Sequence, residues 1–153
     1  MTDLTEGSPA PDFDLETPDG RVKLADFSDQ TLVLYFYPKD DTAGCTREAQ
    51  DFTTLASEFA QAGVTVIGVS KDSVASHRKF ASKYDLAVRL ASDPEGVVVE
   101  RYGSWIEKSL YGRKYMGIDR STFLIRDGKI ARIWRKVKVP NHAQQVLEAA
   151  RGA

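Results

Sequence analysis

Two predominantly apolar segments, Thr31-Leu32-Val33-Leu34-Tyr35-Phe36-Tyr37 and Val64-Thr65-Val66-Ile67-Gly68-Val69-Ser70, constrain the fold of this 153-residue chain most. Both are rich in β-branched or aromatic residues and lack the strict polar alternation of a half-exposed strand. Each therefore suits a strand covered on both faces. Between them, Ala49, Phe52, Leu55, Ala56 and Phe59 recur at helical spacing, and Gly63 stands where a helix C-cap belongs. Strand, helix and second buried strand predict a sheet with helices packed against it.

The remaining punctuation fits that architecture. Asp12–Leu15 and Val22–Leu24 flank Thr17-Pro18-Asp19-Gly20, which predicts an N-terminal β-hairpin. Pro38 ends the first apolar strand. Ser73 opens a helix carrying Val74, His77, Phe80, Ala81 and Tyr84, Val88–Leu90 reads as a short strand, and Asp93-Pro94-Glu95 starts a further helix. Ser121–Ile125 and Ile130–Trp134 flank Arg126-Asp127-Gly128-Lys129, a hairpin signal. The last helix starts near Pro140-Asn141 and presents Ala143, Val146, Leu147 and Ala150 on one side. The expectation is one α/β domain over residues 1–153, with a mixed central sheet flanked by helices.

Charge narrows the function. Lys plus Arg number 21 against 22 Asp plus Glu, a net charge of -1. Such a balance supplies no bulk field for nucleic acid or an anionic membrane, so neither is expected as a partner. The apolar runs fall far short of the ~20 residues a membrane helix needs. Met1-Thr2-Asp3-Leu4-Thr5-Glu6 is acidic and lacks an apolar segment, from which a cytoplasmic address is expected. The single cysteine excludes an internal disulfide, a Cys-based zinc site and a Cys-x-x-Cys pair within this chain.

In open α/β sheets, sites form beyond the carboxyl ends of strands, beside helix N-termini. Cys45 falls at such a place, in the first turn of the helix after Tyr37. The positive end of the helix dipole and the unpaired N–H groups there favour a thiolate over a thiol. By residue type alone, a lone cysteine is more often a small buried hydrophobe. Its neighbours Gly44, Thr46 and Arg47 are small or polar, poor company for a core residue, and Thr42 offers an N-cap.

The segment Tyr35-Phe36-Tyr37-Pro38-Lys39-Asp40-Asp41-Thr42-Ala43-Gly44-Cys45-Thr46 resembles the peroxidatic loop of peroxiredoxins, Pro-x-x-x-Thr-x-x-Cys. Phe-Tyr-Pro-Lys before it and Gly-Cys-Thr at its end are similar to the bacterioferritin comigratory protein, or peroxiredoxin Q, subfamily. The resemblance extends through Gly7-Ser8-Pro9-Ala10-Pro11-Asp12-Phe13, Glu107–Arg113, Gly117–Ile125 and Asn141-His142. It implies a thioredoxin-like fold and reduction of hydrogen peroxide and organic hydroperoxides through a Cys45 sulfenic acid. An external thiol (thioredoxin, glutaredoxin with glutathione, or a small thiol) would recycle that acid, with no cofactor and no metal.

Thiolate attack on a peroxide needs an accessible sulfur, a dry pocket, and donors aimed at the oxygens where charge develops. The backbone N–H groups of Gly44 and Cys45 are candidate donors, and Gly44 lets a small substrate approach the backbone. The Thr42 hydroxyl can donate and accept, bridging thiolate and peroxide, or it can simply cap the helix. Pro38 fixes the chain and shields the sulfur from water, or it merely terminates the strand. The family's active-site arginine falls on Arg120, where a guanidinium would stabilise the thiolate and orient the peroxide. Glu48 lies one turn past Cys45, where the resemblance implies an acid or amide that holds that arginine, unless it is a surface helix residue.

Other constellations fail or stay weaker. Residue 51 is Asp, which excludes a Cys-x5-Arg phosphatase loop. A Cys–His hydrolase would need His77 or His142, each of which reads as a helix-surface or packing histidine. Asp40-Asp41 reads as a solvated loop rather than a metal site. Trp105, Tyr111, Tyr115 and Trp134 read as core packing, or as an apolar pocket or contact face near the site. Many relatives carry a resolving cysteine five residues after the peroxidatic one, where this chain has Gln50, and others carry it in the next helix, which here has none. Ala43 replaces a proline common in the motif. The chain thus looks like a 1-Cys member, expected as a monomer or weak homodimer. The rival from another class is a peroxide sensor or redox-responsive binding module on the same fold, with little turnover.

Overall fold

The computed structural model describes residues 4–152. The chain forms β1 (Asp14–Thr17), β2 (Gly20–Lys23), β3 (Thr31–Phe36), α1 (Ala43–Thr54), α2 (Ala56–Gln61), β4 (Val64–Ser70) and α3 (Val74–Tyr84). It continues through β5 (Arg89–Ser92), α4 (Val97–Arg101), β6 (Trp105–Leu110), β7 (Arg113–Ile118), β8 (Ser121–Arg126), β9 (Lys129–Trp134) and α5 (His142–Arg151). Seven strands form a mixed sheet in the order β2-β1-β5-β4-β3-β8-β9. Strand β3 lies in its middle, parallel to β4 and antiparallel to β8.

Covering β3 on both faces is what its uninterrupted apolar sequence requires. Leu32, Leu34 and Phe36 enter one cluster with Phe13, Val69, Tyr102, Phe123 and Ile125. Val33, Tyr35 and Tyr37 enter the other with Ala49, Phe52, Phe59, Phe80, Val146 and Leu147, under the helices. Each fully buried large apolar side chain contributes roughly 1.5–3 kcal/mol, so this central strand anchors both layers. Gly68, opposite Tyr35, makes room for its ring: a Cβ there would stand 2.6 Å from the Tyr35 ring carbon Cζ.

Three elements differ from the sequence reading. The helix expected to run unbroken to Gly63 is split at Leu55 (φ −96°, ψ 7°). There the Thr54 hydroxyl donates back to the Gln50 carbonyl, and Thr53 Oγ1 accepts from the Ala87 amide. Such side-chain bonds compete with the helical ladder. Helix α4 begins at Val97 rather than at Asp93-Pro94-Glu95, because Gly96 takes a left-handed turn (φ 73°) and the Asp93 carboxylate accepts from the Val99 amide. The hairpin β6–β7 had no sequence signature of its own, since it forms a separate two-stranded sheet whose residues are mostly exposed. Tyr111 and Gly112, at φ 51° and 78°, close it in a tight turn.

Candidate active site

The site is assembled where β3 ends. Pairing of Phe36 with Ser121 across β3 and β8 sets Arg120 beside the chain that leaves β3 at Tyr37. A loop then turns into α1, with Thr42 in the extended N-cap conformation (φ −96°, ψ 157°) and Cys45 as the third helical residue. First-turn amides lack intrahelical partners, so Gly44 and Cys45 offer N–H donors next to the sulfur. Cys45 is 2% exposed and packs in the cluster of Tyr35, Tyr37, Ala49 and Phe52.

Arg120 joins the sulfur to a carboxylate. Its Nη2 donates to Cys45 Sγ at 3.3 Å, and its Nη1 donates to Glu48 Oε1 at 2.7 Å. Burial pushes the Glu48 carboxyl up to about 7, with Arg120 acting in the opposite direction. Burial also works against the Arg120 charge, but the charges of Glu48 and Cys45 outweigh it and hold the guanidinium above its ordinary value. Two buried polar atoms lack a hydrogen-bond partner among the described residues, Glu48 Oε2 and the Tyr35 hydroxyl. Burial, then the charges of Glu48 and Cys45, pushes the Tyr35 phenol far above its ordinary value. The thiol therefore sits on a buried aromatic floor, with its cation on one side.

Gly44 bears on that cation as well as on substrate access: a Cβ there would lie 3.1 Å from Arg120 Nη2. Thr42 is exposed; its hydroxyl donates to the Lys39 carbonyl at 2.8 Å and accepts from no first-turn amide. Its lone pairs stay available as acceptors. Pro38 is exposed where the chain leaves β3.

The loop's anchoring corrects one sequence expectation and decides another. Asp40 is buried rather than solvated and accepts from the hydroxyls of Tyr37 and Ser76. His77, read as a surface or packing histidine, is fully buried: its Nδ1 lies 2.8 Å from Asp40 Oδ2 and its Nε2 3.0 Å from the Ala91 carbonyl. A carbonyl only accepts, so Nε2 carries a proton. Asp41, at φ 58°, is exposed and bonds Lys83 and Tyr84. The loop before Cys45 is thus tied to α3 at two successive residues. The Asp40–His77 spacing in sequence gave no hint of this, because 37 residues separate the partners. His142 is buried too, bonded to the Thr122 hydroxyl at 2.8 Å, and burial followed by the nearby Arg120 charge lowers it to about 4. Neither histidine hydrogen-bonds Cys45, which removes the geometry a Cys–His hydrolase needs.

A thiol at a helix N-terminus, hydrogen-bonded by a guanidinium at the end of a mixed sheet, defines a class of thiol-based redox proteins. The family model described as the AhpC/TSA family matches residues 7–133, and the chain belongs to that family. It is 47% identical over 143 residues to a putative peroxiredoxin bcp of Coxiella burnetii, covering 92% of this chain and 95% of that one. It is 45% identical over 144 residues to the peroxiredoxin Bcp of Bacillus subtilis, covering 93% and 92%. A crystal structure of a Xylella fastidiosa PrxQ mutant superposes with a TM-score of 0.93 at 37% identity, covering 99% of this chain and 98% of that one. A Xanthomonas campestris bacterioferritin comigratory protein, studied for alkyl peroxide reduction in trapped intermediate and ligand complexes, gives 0.87 at 42% identity, covering 92% and 90%. The fold is the thioredoxin-like fold of peroxiredoxins, and the chain is a thiol-dependent peroxidase of the peroxiredoxin Q type.

Proposed function

We propose that Cys45 is the peroxidatic nucleophile for hydrogen peroxide and organic hydroperoxides, and that an external thiol returns it to the reduced state. The observation that carries this reading is the 3.3 Å bond from Arg120 Nη2 to Cys45 Sγ. The thiolate attacks one peroxide oxygen; an S–O bond forms, the O–O bond breaks, and the leaving alkoxide or hydroxide takes up a proton. Cys45 becomes a sulfenic acid, oxidised by two electrons. Charge develops on both oxygens during this step, so preorganised donors stabilise it. Arg120 and the first-turn amides of Gly44 and Cys45 fill that role. Thr42, with its proton held by Lys39, accepts from the O–H of the bound hydroperoxide. Glu48 fixes the guanidinium, and exposed Pro38 screens the sulfur's approach from bulk water.

Recycling needs two thiol equivalents from outside, because the chain has one cysteine. A reductant thiol displaces water from the sulfenic acid to give a mixed disulfide, and a second thiol releases Cys45. Such a cycle belongs in a reducing compartment, as the cytoplasm is.

The test is peroxide consumption by wild type and Cys45→Ser with excess thioredoxin, glutathione plus glutaredoxin, or a simple dithiol. Many equivalents consumed by wild type and none by the variant support the reading. Consumption that stops near one equivalent with every thiol would instead mark a sensor. Full activity in Cys45→Ser would overturn the assignment of the nucleophile.

A further inference from the structure

Of the five large apolar side chains exposed among the described residues, four stand on the β6–β7 hairpin: Leu110 (56%), Tyr111 (97%), Tyr115 (47%) and Met116 (50%). Contiguous exposed apolar surface on a folded domain marks an interaction site more often than chance. The strand register sorts this surface. Lys108 pairs with Tyr115, Leu110 with Arg113 and Ile106 with Gly117, so these six residues share one face, while Met116, paired with Glu107, lies on the other. Contacts agree with that register, since a Cβ on Gly117 would lie 3.3 Å from Lys108 Cδ and 3.4 Å from Tyr115 Cε2.

The face is cationic as well as apolar. It carries Lys108 and Arg113 and no acid, while the hairpin's one carboxylate, Glu107, lies on the other face with Lys114 Nζ 3.8 Å away. Lys108 forms no ion pair among the described residues, yet it is half-buried and feels the charges of Asp119, Arg120 and Cys45. The hairpin leads toward the thiol, since β7 ends two residues before Arg120. Two copies of this face would repel each other, whereas an acidic partner would be attracted.

We propose that this hairpin face is the docking surface for an acidic protein dithiol that reduces the Cys45 sulfenic acid. The proposal rests on Cys45 being peroxidatic. One partner thiol attacks the sulfenic sulfur, forming an S–S bond and releasing water. The partner's second thiol then attacks the partner sulfur of that mixed disulfide. Cys45 leaves as thiolate and regains a proton, and the partner departs as its own disulfide. Two electrons pass from the dithiol to the oxidised cysteine. A single-cysteine chain cannot supply these electrons itself, so a surface that guides their donor to the sulfur has a clear use.

The test compares two reductants on Cys45 sulfenic acid made with one equivalent of hydrogen peroxide: reduced thioredoxin of net negative charge, and dithiothreitol. Second-order reduction rates are measured for wild type and for the double variant Leu110→Ser, Arg113→Glu, at low and high ionic strength. Both substitutions lie on the exposed outer half of the hairpin, away from the reacting atoms. The expected result is a loss of about tenfold or more with thioredoxin at low salt, shrinking as salt rises. Rates with dithiothreitol, and the rate of oxidation by peroxide, stay at the wild-type level. An unchanged thioredoxin rate overturns the proposal, as does an equal fall with both reductants, which a merely structural role would produce. Sedimentation of the wild type as a dimer that this variant dissociates would show a second copy on the face and also overturn it. Wild type that turns over peroxide with dithiothreitol but not with thioredoxin sinks the docking surface while sparing the nucleophile. Wild type that consumes no peroxide with any thiol sinks both.

Discussion

Cys45 and Glu48, one turn apart on α1, are bound to the same guanidinium, which stands 3.3 Å from the sulfur and 2.7 Å from the carboxylate. Arg120 thus divides one positive charge between two acids. Its Nη2 faces the sulfur that must hold a negative charge, and its Nη1 is fixed by a carboxylate that is 1% exposed. A guanidinium's fork of donors makes this bridging possible, where an ammonium would supply a point charge.

Removing that fork should slow the chemical step. Arg120→Met is expected to reduce the rate of Cys45 oxidation by peroxide on the order of a hundredfold, the usual effect of deleting one preorganised donor. Arg120→Lys should recover part of the rate. Gly44→Ala should reproduce a smaller share of the loss, because its Cβ would crowd Arg120 Nη2 at 3.1 Å. An unchanged oxidation rate in Arg120→Met would remove Arg120 from the mechanism.

The raised carboxyl of Glu48 makes a stability prediction with a definite sign. Between pH 4.5 and about 7, the folded chain keeps a proton on Glu48 that the unfolded chain has lost. The folded state binds more protons in that window, so this group's contribution to stability falls as pH rises through it. The contribution is fully present below pH 4.5 and gone above about 7. Glu48→Gln removes the dependence. Its stability relative to wild type should therefore improve from pH 4.5 to 7 in denaturant titrations, by an amount on the order of 3 kcal/mol. A constant difference across that window would show that Glu48 is ionised throughout.

Asp40 should matter although it touches neither sulfur nor substrate. Its carboxylate receives Tyr37, Ser76 and His77, and its amide donates to Asp72 Oδ2 at 2.8 Å. Asp40→Ala leaves the buried Tyr37 hydroxyl and His77 Nδ1 with only each other, 3.3 Å apart, and should cost about 1–3 kcal/mol, as stripping a partner from buried polar groups does. The loop it anchors carries the N-cap of α1, so peroxide oxidation should slow as well. Addition of a thiol-reactive probe in native conditions should show Cys45 more readily labelled than in wild type. Wild-type stability in Asp40→Ala would mean that the Asp40–His77 contact contributes nothing.

Legibility in the sequence followed burial. Strand β3 was readable because both its faces are covered, which leaves an uninterrupted apolar run at Leu32–Phe36. The helix start that places Thr42 and Cys45 was readable from local sequence, whereas the arginine-holding place of Glu48 came from the resemblance. Arg120 required a resemblance, since its approach to Cys45 depends on the β3–β8 register across 75 residues of chain. Asp40 was misread, and His77 left between surface and packing, because a buried polar cluster looks, residue by residue, like a solvated one; only the fold supplies the partners. The β6–β7 hairpin stayed invisible for the opposite reason. It buries little, so burial imprints no period on Trp105–Ile118, and its turn pair Tyr111-Gly112 is a weak signal alone.

The cysteine count makes the last prediction. Gln50 occupies the position five residues after Cys45, and the chain has no other thiol, so oxidation cannot close a disulfide within one molecule. The sulfenic acid must wait for an outside thiol and stays exposed to overoxidation by excess peroxide. Cys45 is 2% exposed, and two recessed sulfurs from separate chains would have to approach to ~2.05 Å, so crosslinking should be slow. Gln50→Cys should open an internal route only if α1 unwinds: residues five apart on an intact helix point to different faces, and a disulfide needs Cα atoms within ~7 Å. Intact mass after one equivalent of peroxide is the measurement. Without thiol, the chain should gain one oxygen; with glutathione, it should appear as a glutathione adduct or as the reduced protein. A covalent dimer formed at once as the main product without thiol would show that a second subunit resolves Cys45, and the 1-Cys cycle would be wrong.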